Sequence, residues 1–140
     1  MILLRHARPN DAKELAQLVT DLGYPVDSAE LWSRIEKMPS GAYQTLVALM
    51  ENKVAGFIGL LTLPVYEHPR PIGWILALCI SPQHRRQGIG TALIHEAEKY
   101  YRTRGVTDMR LHSGIHRDEA HEFYEKMGFD KSGYRFKKKL

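Results

Sequence analysis

The hydrophobic positions of this chain switch repeatedly between a period near 3.6 and a period of two, and the switches divide it into elements. Residues 2–5 read as a short strand. Leu15, Leu18, Val19 and Leu22 then recur at helical spacing behind Asn10 or Asp11, either of which can cap a helix, and Gly23-Tyr24-Pro25 ends it. A second helix is predicted from Asp27 or Ser28, with Leu31, Ile35 and Met38 on one face, stopping at Pro39-Ser40-Gly41. Residues 43–50 and 54–63 read as strands joined by the polar turn Glu51-Asn52-Lys53, which is a hairpin. Pro64, Pro69 and Pro71 mark a loop, and the apolar run 74–80 that follows is short enough to be a buried strand.

Further on, residues 87–104 carry Ile89, Leu93, Ala97 and Tyr100 along one stripe and meet Gly105, the pattern of an amphipathic helix with a glycine stop. Residues 106–112 read as a strand, and residues 117–127 as a helix with Ala120, Phe123, Tyr124 and Met127 at compatible spacing, ended by Gly128. Residues 129–140 are expected to supply one or two closing strands. The order is strand, two helices, three strands, helix, strand, helix, strand. It predicts a mixed α/β layer structure rather than a regular βαβ array, and with no repeat, linker or boundary it is read as one domain over residues 1–140.

Composition narrows the class. The length of 140 residues suits one core, and 44% hydrophobic with 26% charged residues is the balance of a globular protein. The run 74–80 is far shorter than the roughly 20 residues that span a bilayer, so no membrane partner is expected. Cys79 is the single cysteine, and Met1-Ile2-Leu3-Leu4 reaches Arg5 too soon for a secretory signal; a cytoplasmic location is expected. The net charge of +4 suits an anionic ligand. Nucleic acid would call for a basic stripe with interleaved aromatics, whereas the densest basic run, Lys137-Lys138-Lys139, reads as a solvated strand end; no nucleic-acid partner is expected.

The most informative segment is Ser81-Pro82-Gln83-His84-Arg85-Arg86-Gln87-Gly88-Ile89-Gly90-Thr91, between the buried strand and the amphipathic helix. Glycines at 88 and 90 let backbone approach a ligand, and the first N–H groups of the helix have no intrahelical partners. With the helix dipole, Arg85 and Arg86 would hold a pyrophosphate. A P-loop is excluded because Thr91-Ala92 follows Gly90 where Lys-Ser/Thr is needed. A dinucleotide fingerprint lacks its third glycine, since residue 93 is Leu, and Asp108 falls near the beginning rather than the end of the next strand.

Arg85-Arg86-Gln87-Gly88-Ile89-Gly90, after a strand ending Leu78-Cys79-Ile80-Ser81-Pro82, resembles the Gln/Arg-x-x-Gly-x-Gly/Ala element of the GNAT superfamily of N-acetyltransferases. Leu111-His112-Ser113-Gly114, Arg117 and the run from Ala120-His121 to Gly128-Phe129 look like that superfamily's fifth strand and fourth helix. The likeness extends to Leu22-Gly23-Tyr24-Pro25 and Arg135-Phe136-Lys137-Lys138, and so covers nearly the whole chain.

The resemblance implies an acyl-CoA N-acyltransferase fold: a mixed, mostly antiparallel sheet whose fourth and fifth strands splay at a bulge, with helices on both faces. It implies acetyl-CoA as cosubstrate, its pantetheine arm along Leu78, Cys79 and Ile80, its pyrophosphate on Arg85, Arg86, Gln87, Gly88, Ile89, Gly90 and Thr91. A backbone N–H near Ile80 would hold the carbonyl oxygen as charge develops. Tyr124 takes the position of the superfamily's general acid and also borders the cofactor, against the plain reading of a core tyrosine. Cys79 as an acyl-carrying nucleophile is the rival idea; a lone cysteine in an apolar strand is more often a small buried hydrophobe.

A departure concerns the base. Many relatives place glutamate on the fourth strand, but Gly73-Trp74-Ile75-Leu76-Ala77 has no carboxylate. His112 is the replacement by position, an imidazole ordinarily titrating near pH 6.5, with Glu67 or His68 acting through water as alternatives. Arg117 stands where many relatives have asparagine and is left open between cofactor contact, substrate contact and helix start. Trp74, Tyr66 and Trp32 are candidates to line an acceptor pocket. Similarity to small bacterial-type acetyltransferases, among them aminoalkylphosphonate acetyltransferases, points to the primary amine of a small molecule as acceptor. A protein or peptide acceptor and a catalytically weak acyl-CoA-binding protein are the alternatives, and a homodimer is compatible with each.

Overall fold

The computed structural model describes residues 1–114 and 117–140. The chain forms two compact units, Met1–Arg110 and Leu111–Leu140. The first holds β1 (Leu3–His6), α1 (Ala12–Asp21), α2 (Ser28–Glu36), β2 (Tyr43–Met50), β3 (Lys53–Leu63), β4 (Ile72–Ile80) and α3 (Ile89–Thr103). A short β5 (Met109–Leu111) spans the division, and α4 (Asp118–Lys126) lies in the second. The strands form one open sheet in the order β1-β2-β3-β4-β5, with β1 to β4 antiparallel. Gly73, near the start of β4, donates its N–H to the carbonyl of Asp108, just before β5, at 3.0 Å. Both strands therefore begin at the same end and run parallel, and α3 is the crossover such a pair requires. The mixed, layered α/β architecture expected from the sequence is the one observed.

Local chemistry explains the boundaries. Asp27 caps α2 by accepting the Glu30 N–H at 2.8 Å. Between β2 and β3, Glu51 and Asn52 both take positive φ, 51° and 65°, which is the twist a tight two-residue hairpin turn needs. On one face of the sheet, Leu15 and Leu18 of α1 pack with Val47, Phe57 and Cys79. Ile89, Leu93, Ile94 and Ala97 of α3 are buried with Tyr101, which is 1% exposed. Here the expected stripe needs correction, because Tyr101 rather than Tyr100 turns inward. Gly73 makes the room: a Cβ there would meet the Tyr101 ring at 2.7 Å. The Tyr101 hydroxyl donates to the Trp74 carbonyl at 2.7 Å, and burial pushes its phenol pKa up. Tyr100 lies instead beneath the Arg104 guanidinium, 3.7 Å from the ring centre.

A second correction concerns the start of α1. Asp11 occupies the cap position but makes no side-chain bond into the helix. Its carboxylate is taken by Arg5 at 2.8 and 3.0 Å and by the Arg8 N–H at 2.7 Å, closing a 3₁₀ turn at Pro9–Asp11. The hydrogen-bonded Arg5 guanidinium holds this buried carboxyl below the ordinary carboxylate pKa. Asp11→Asn is expected to cost about 2 kcal/mol at neutral pH, the range for hydrogen bonds to charged groups. Because pairing lowers the folded-state pKa, the contribution is complete above the unfolded value of about 3.9 and fades as pH falls through the lower folded one. Urea melts of both proteins at pH 7 and at pH 3 check this: the gap narrows in acid.

The closing strands expected over residues 129–140 are absent from the described residues: the segment forms no strand, and residues 131–140 are all exposed. Tyr134 and Phe136 have the alternation of a strand, but each stays about nine-tenths exposed. Alternation predicts a strand only where an edge and an apolar surface receive it. No helix among the described residues is long and apolar enough to cross a membrane.

Candidate functional site

The site is built around β4, which is not a regular strand. Gly59 of β3 pairs with Ala77 and Leu60 with Ile75, so Leu76 is an extra residue, a β-bulge. Its effect on side-chain direction follows from parity. Gly73 lies under Tyr101, and Ile80 shares a neighbourhood with Ile89 of α3, since a Cβ on Gly56 would meet both. Residues 73 and 80 are an odd number apart, and only an inserted residue puts both on the α3 face. Downstream of the bulge, Ala77 and Cys79 therefore turn toward α1 and α2, where both pack on the core. Cys79 is 4% exposed among Leu15, Val47 and Phe57, the setting of a small buried hydrophobe.

At the end of β4 the Ser81 N–H donates to the Ala55 carbonyl of β3 at 2.7 Å. Successive backbone N–H groups alternate sides, so that of Ile80 faces the opposite edge, the one along which β5 begins. The chain then makes a 3₁₀ turn, Pro82–His84, fixed by the His84 N–H on the Ser81 carbonyl at 2.9 Å and the Ser81 hydroxyl on Gln83 Oε1 at 2.5 Å. Two left-handed residues follow, Arg86 at φ 62° and Gly88 at φ 81°. Gly88 is the N-cap of α3, and no side chain caps the helix. The first intrahelical bond recorded at this end is Ala92 N–H to the Gly88 carbonyl at 3.0 Å, leaving the amides of Ile89, Gly90 and Thr91 without helical acceptors.

This turn fits an anionic group. Arg85, Arg86, Gln87 and Gly88 are exposed while Ile89 is 1% exposed, so a buried anchor holds a solvent-facing cradle. Among the described residues neither Arg85 nor Arg86 is in an ion pair, and a side chain at Gly88 would meet nothing within 4 Å. His84 Nδ1 is buried with no hydrogen-bond partner among them, an orphan that a bound group can satisfy. A positive φ on a non-glycine residue such as Arg86 costs of order 1–3 kcal/mol and collects at ligand clamps.

The second unit carries the other expected residues. Arg117 is the residue before α4; its N–H donates to the Gly114 carbonyl at 3.1 Å and its carbonyl accepts from the His121 N–H at 3.0 Å. His121 Nε2 also lies 2.8 Å from the Gly114 carbonyl. Tyr124 is half-buried on α4, its ring edge-on to Phe123 at 5.5 Å and to Phe129 at 5.8 Å. His112 was expected on the fifth strand, but β5 ends at Leu111 and His112 is exposed beyond it. Of the alternative bases, Glu67 is bound to Arg110 at 3.4 Å, which also holds Asp108 at 3.0 Å, and His68 Nδ1 accepts from the Arg70 N–H at 3.1 Å.

One feature the sequence did not mark is a cavity of about 150 Å³ between α1, α2 and the sheet. Leu31 and Ile35 of α2 line it with Phe57, Leu76 and Ala77, and so does Met38, which was expected on the helix but falls just beyond its end at Glu36. The expected aromatics do not: Tyr66 is fully exposed, Trp32 packs on the core, and the Trp74 carbonyl accepts from Tyr101. The available signal was α2 itself, whose apolar stripe leaves no residue fully buried.

Residues 11–129 match the acetyltransferase (GNAT) family model. The chain is 36% identical to the aminoalkylphosphonate N-acetyltransferase of Salmonella typhimurium over 94 residues, 67% of this chain and 61% of that protein's length. It is 27% identical to a GNAT family acetyltransferase of Staphylococcus aureus, with a TM-score of 0.83 over 99% of this chain and 98% of the other. An aminoglycoside N-acetyltransferase solved with CoA shares the fold at a TM-score of 0.85 and 16% identity, over 100% and 95% of the chains. With 119 consecutive residues inside the family model, from the first turn of α1 past the end of α4, this chain belongs to the acetyltransferase (GNAT) family.

Proposed function

We propose that this chain is an acetyl-CoA-dependent N-acetyltransferase acting directly on the primary amine of a small molecule. The observation that carries the reading is the uncapped start of α3, where Gly88 takes φ 81° and Arg85 and Arg86 are in no ion pair among the described residues. Diphosphate oxygens suit these donors, and the residues are those the family's motif places there. The small bacterial relative and the aminoglycoside enzyme both act on amines of small molecules by their names, which favours that acceptor class.

Bound acetyl-CoA would supply an activated acetyl group, and the remaining contributions come from the chain. The outward N–H of Ile80 is already in place to stabilise a developing oxyanion, and such fixed donors need no reorganisation during the reaction. Tyr124 donates its hydroxyl proton to the departing sulfur. His112, exposed to solvent, accepts the proton shed by the amine, directly or through water. Arg117 opens α4 and assists anion binding.

Titration calorimetry with coenzyme A, paired with thiol release from acetyl-CoA over a panel of amines, tests the reading. Saturable heat together with amine-dependent thiol release is the expected result, and a flat titration would sink it. The second reading, an acyl-CoA-binding protein without turnover, is favoured by the missing carboxylate on β4. It predicts heat without thiol release on any amine.

A further inference from the structure

We infer that the acceptor is a primary amine carrying an uncharged apolar group about the size of a phenyl ring, held in the cavity between α2 and the β4 bulge. This rests on the acetyltransferase reading above and specifies its substrate class. α2 is amphipathic, yet Leu31 and Ile35 on its apolar face, and Met38 just after it, remain only partly buried. Such a stripe loses free energy unless something apolar covers it. Opposite stand Phe57, Leu76 and Ala77, so the cavity is walled by hydrocarbon; among the described residues Tyr43, Gln44 and Thr45 are its polar lining and none is charged.

Size and charge decide between acceptor classes. A cavity of about 150 Å³ with apolar walls is the volume that takes up a benzene-sized group, and it is too small for a multi-ring sugar. A phosphonate or a second ammonium buried there would meet no counter-charge, which costs several kcal/mol. Position completes the case. Leu76, half-exposed at the cavity, is the bulged residue, and the same strand reaches Ile80 four residues later. Cavity and Ile80 N–H thus lie on one strand, about 13 Å of extended chain apart.

Gly59 offers a way to fill the cavity without breaking the sheet. It lines the cavity, and a Cβ there would lie 3.8 Å from Ala77 N and 3.9 Å from the Ala77 and Leu76 Cβ atoms, ordinary contact distances. The test compares 2-phenylethylamine with 2-aminoethylphosphonate and kanamycin as acceptors in thiol release, using wild type, Gly59→Ala and Gly59→Val. Methyl NMR of Leu31, Ile35, Met38 and Leu76 with added 2-phenylethylamine reads occupancy independently of turnover.

The expected result is kcat/KM about tenfold or more higher for 2-phenylethylamine than for the other two, with shifts confined to the cavity methyls. Gly59→Val should cut that preference by about tenfold, through KM, and Gly59→Ala by less. Unmoved cavity methyls, or a higher kcat/KM for the phosphonate or the aminoglycoside, overturn the inference while leaving acetyl transfer standing. Shifted methyls with no thiol release from any amine uphold the cavity's ligand class and sink the acetyltransferase reading instead.

Discussion

Tyr124→Phe is expected to lower kcat about a thousandfold, within the range for loss of a general acid. The substitution removes one oxygen from a ring that stays where it is. Edge-on contacts with Phe123 and Phe129 involve the ring faces and edges, so phenylalanine keeps them and helix α4 keeps its packing. The loss should appear in turnover, and a melting curve reads any structural share of it separately. Acyl donors distinguish the cause further: if the hydroxyl protonates sulfur, the deficit shrinks with an acyl thioester whose leaving thiol is more acidic. Unchanged turnover with acetyl-CoA would refute the acid role.

Gly88→Val is expected to weaken coenzyme A binding about a hundredfold, close to 3 kcal/mol. The reason is conformational rather than steric, because a Cβ at this position meets nothing within 4 Å. What valine does not tolerate is φ 81°, and a β-branched residue there is a stronger outlier than alanine. To relieve it the turn re-forms, and the amides of Ile89, Gly90 and Thr91 lose their common direction. Calorimetry gives the affinity, and far-UV circular dichroism shows that α3 persists on its buried Ile89 and Leu93. An unaltered Kd would place the diphosphate elsewhere.

Much of this was legible from the chain alone, for identifiable reasons. α2 and the β2–β3 hairpin were readable because Asp27, Pro39, Glu51 and Asn52 punctuate them with backbone chemistry that acts locally. The turn into α3 was readable because two glycines and two arginines fall between an apolar run and an amphipathic one. Other features depend on partners distant in sequence. The bulge at Leu76 is invisible in a continuous apolar run, since a strand buried on both faces shows no alternation for an insertion to interrupt. Tyr100 and Tyr101 are equally compatible with the helical stripe, and only the bare backbone of Gly73 selects the second. Asp11 suits a helix cap by type, but Arg5 competes for the same oxygens. Residues 129–140 show that the alternation of Tyr134 and Phe136 does not by itself make a strand, since both side chains stay exposed.

The extra residue in β4 also separates two kinds of mutational tolerance. Upstream of it, Gly73 is locked under a tyrosine ring and permits almost no change; downstream, the cavity wall is shared with α2, an element held at its start by a single cap. If that cavity seats the acceptor as inferred above, replacements at Leu31, Ile35 or Met38 would change acceptor preference and leave coenzyme A affinity as it is.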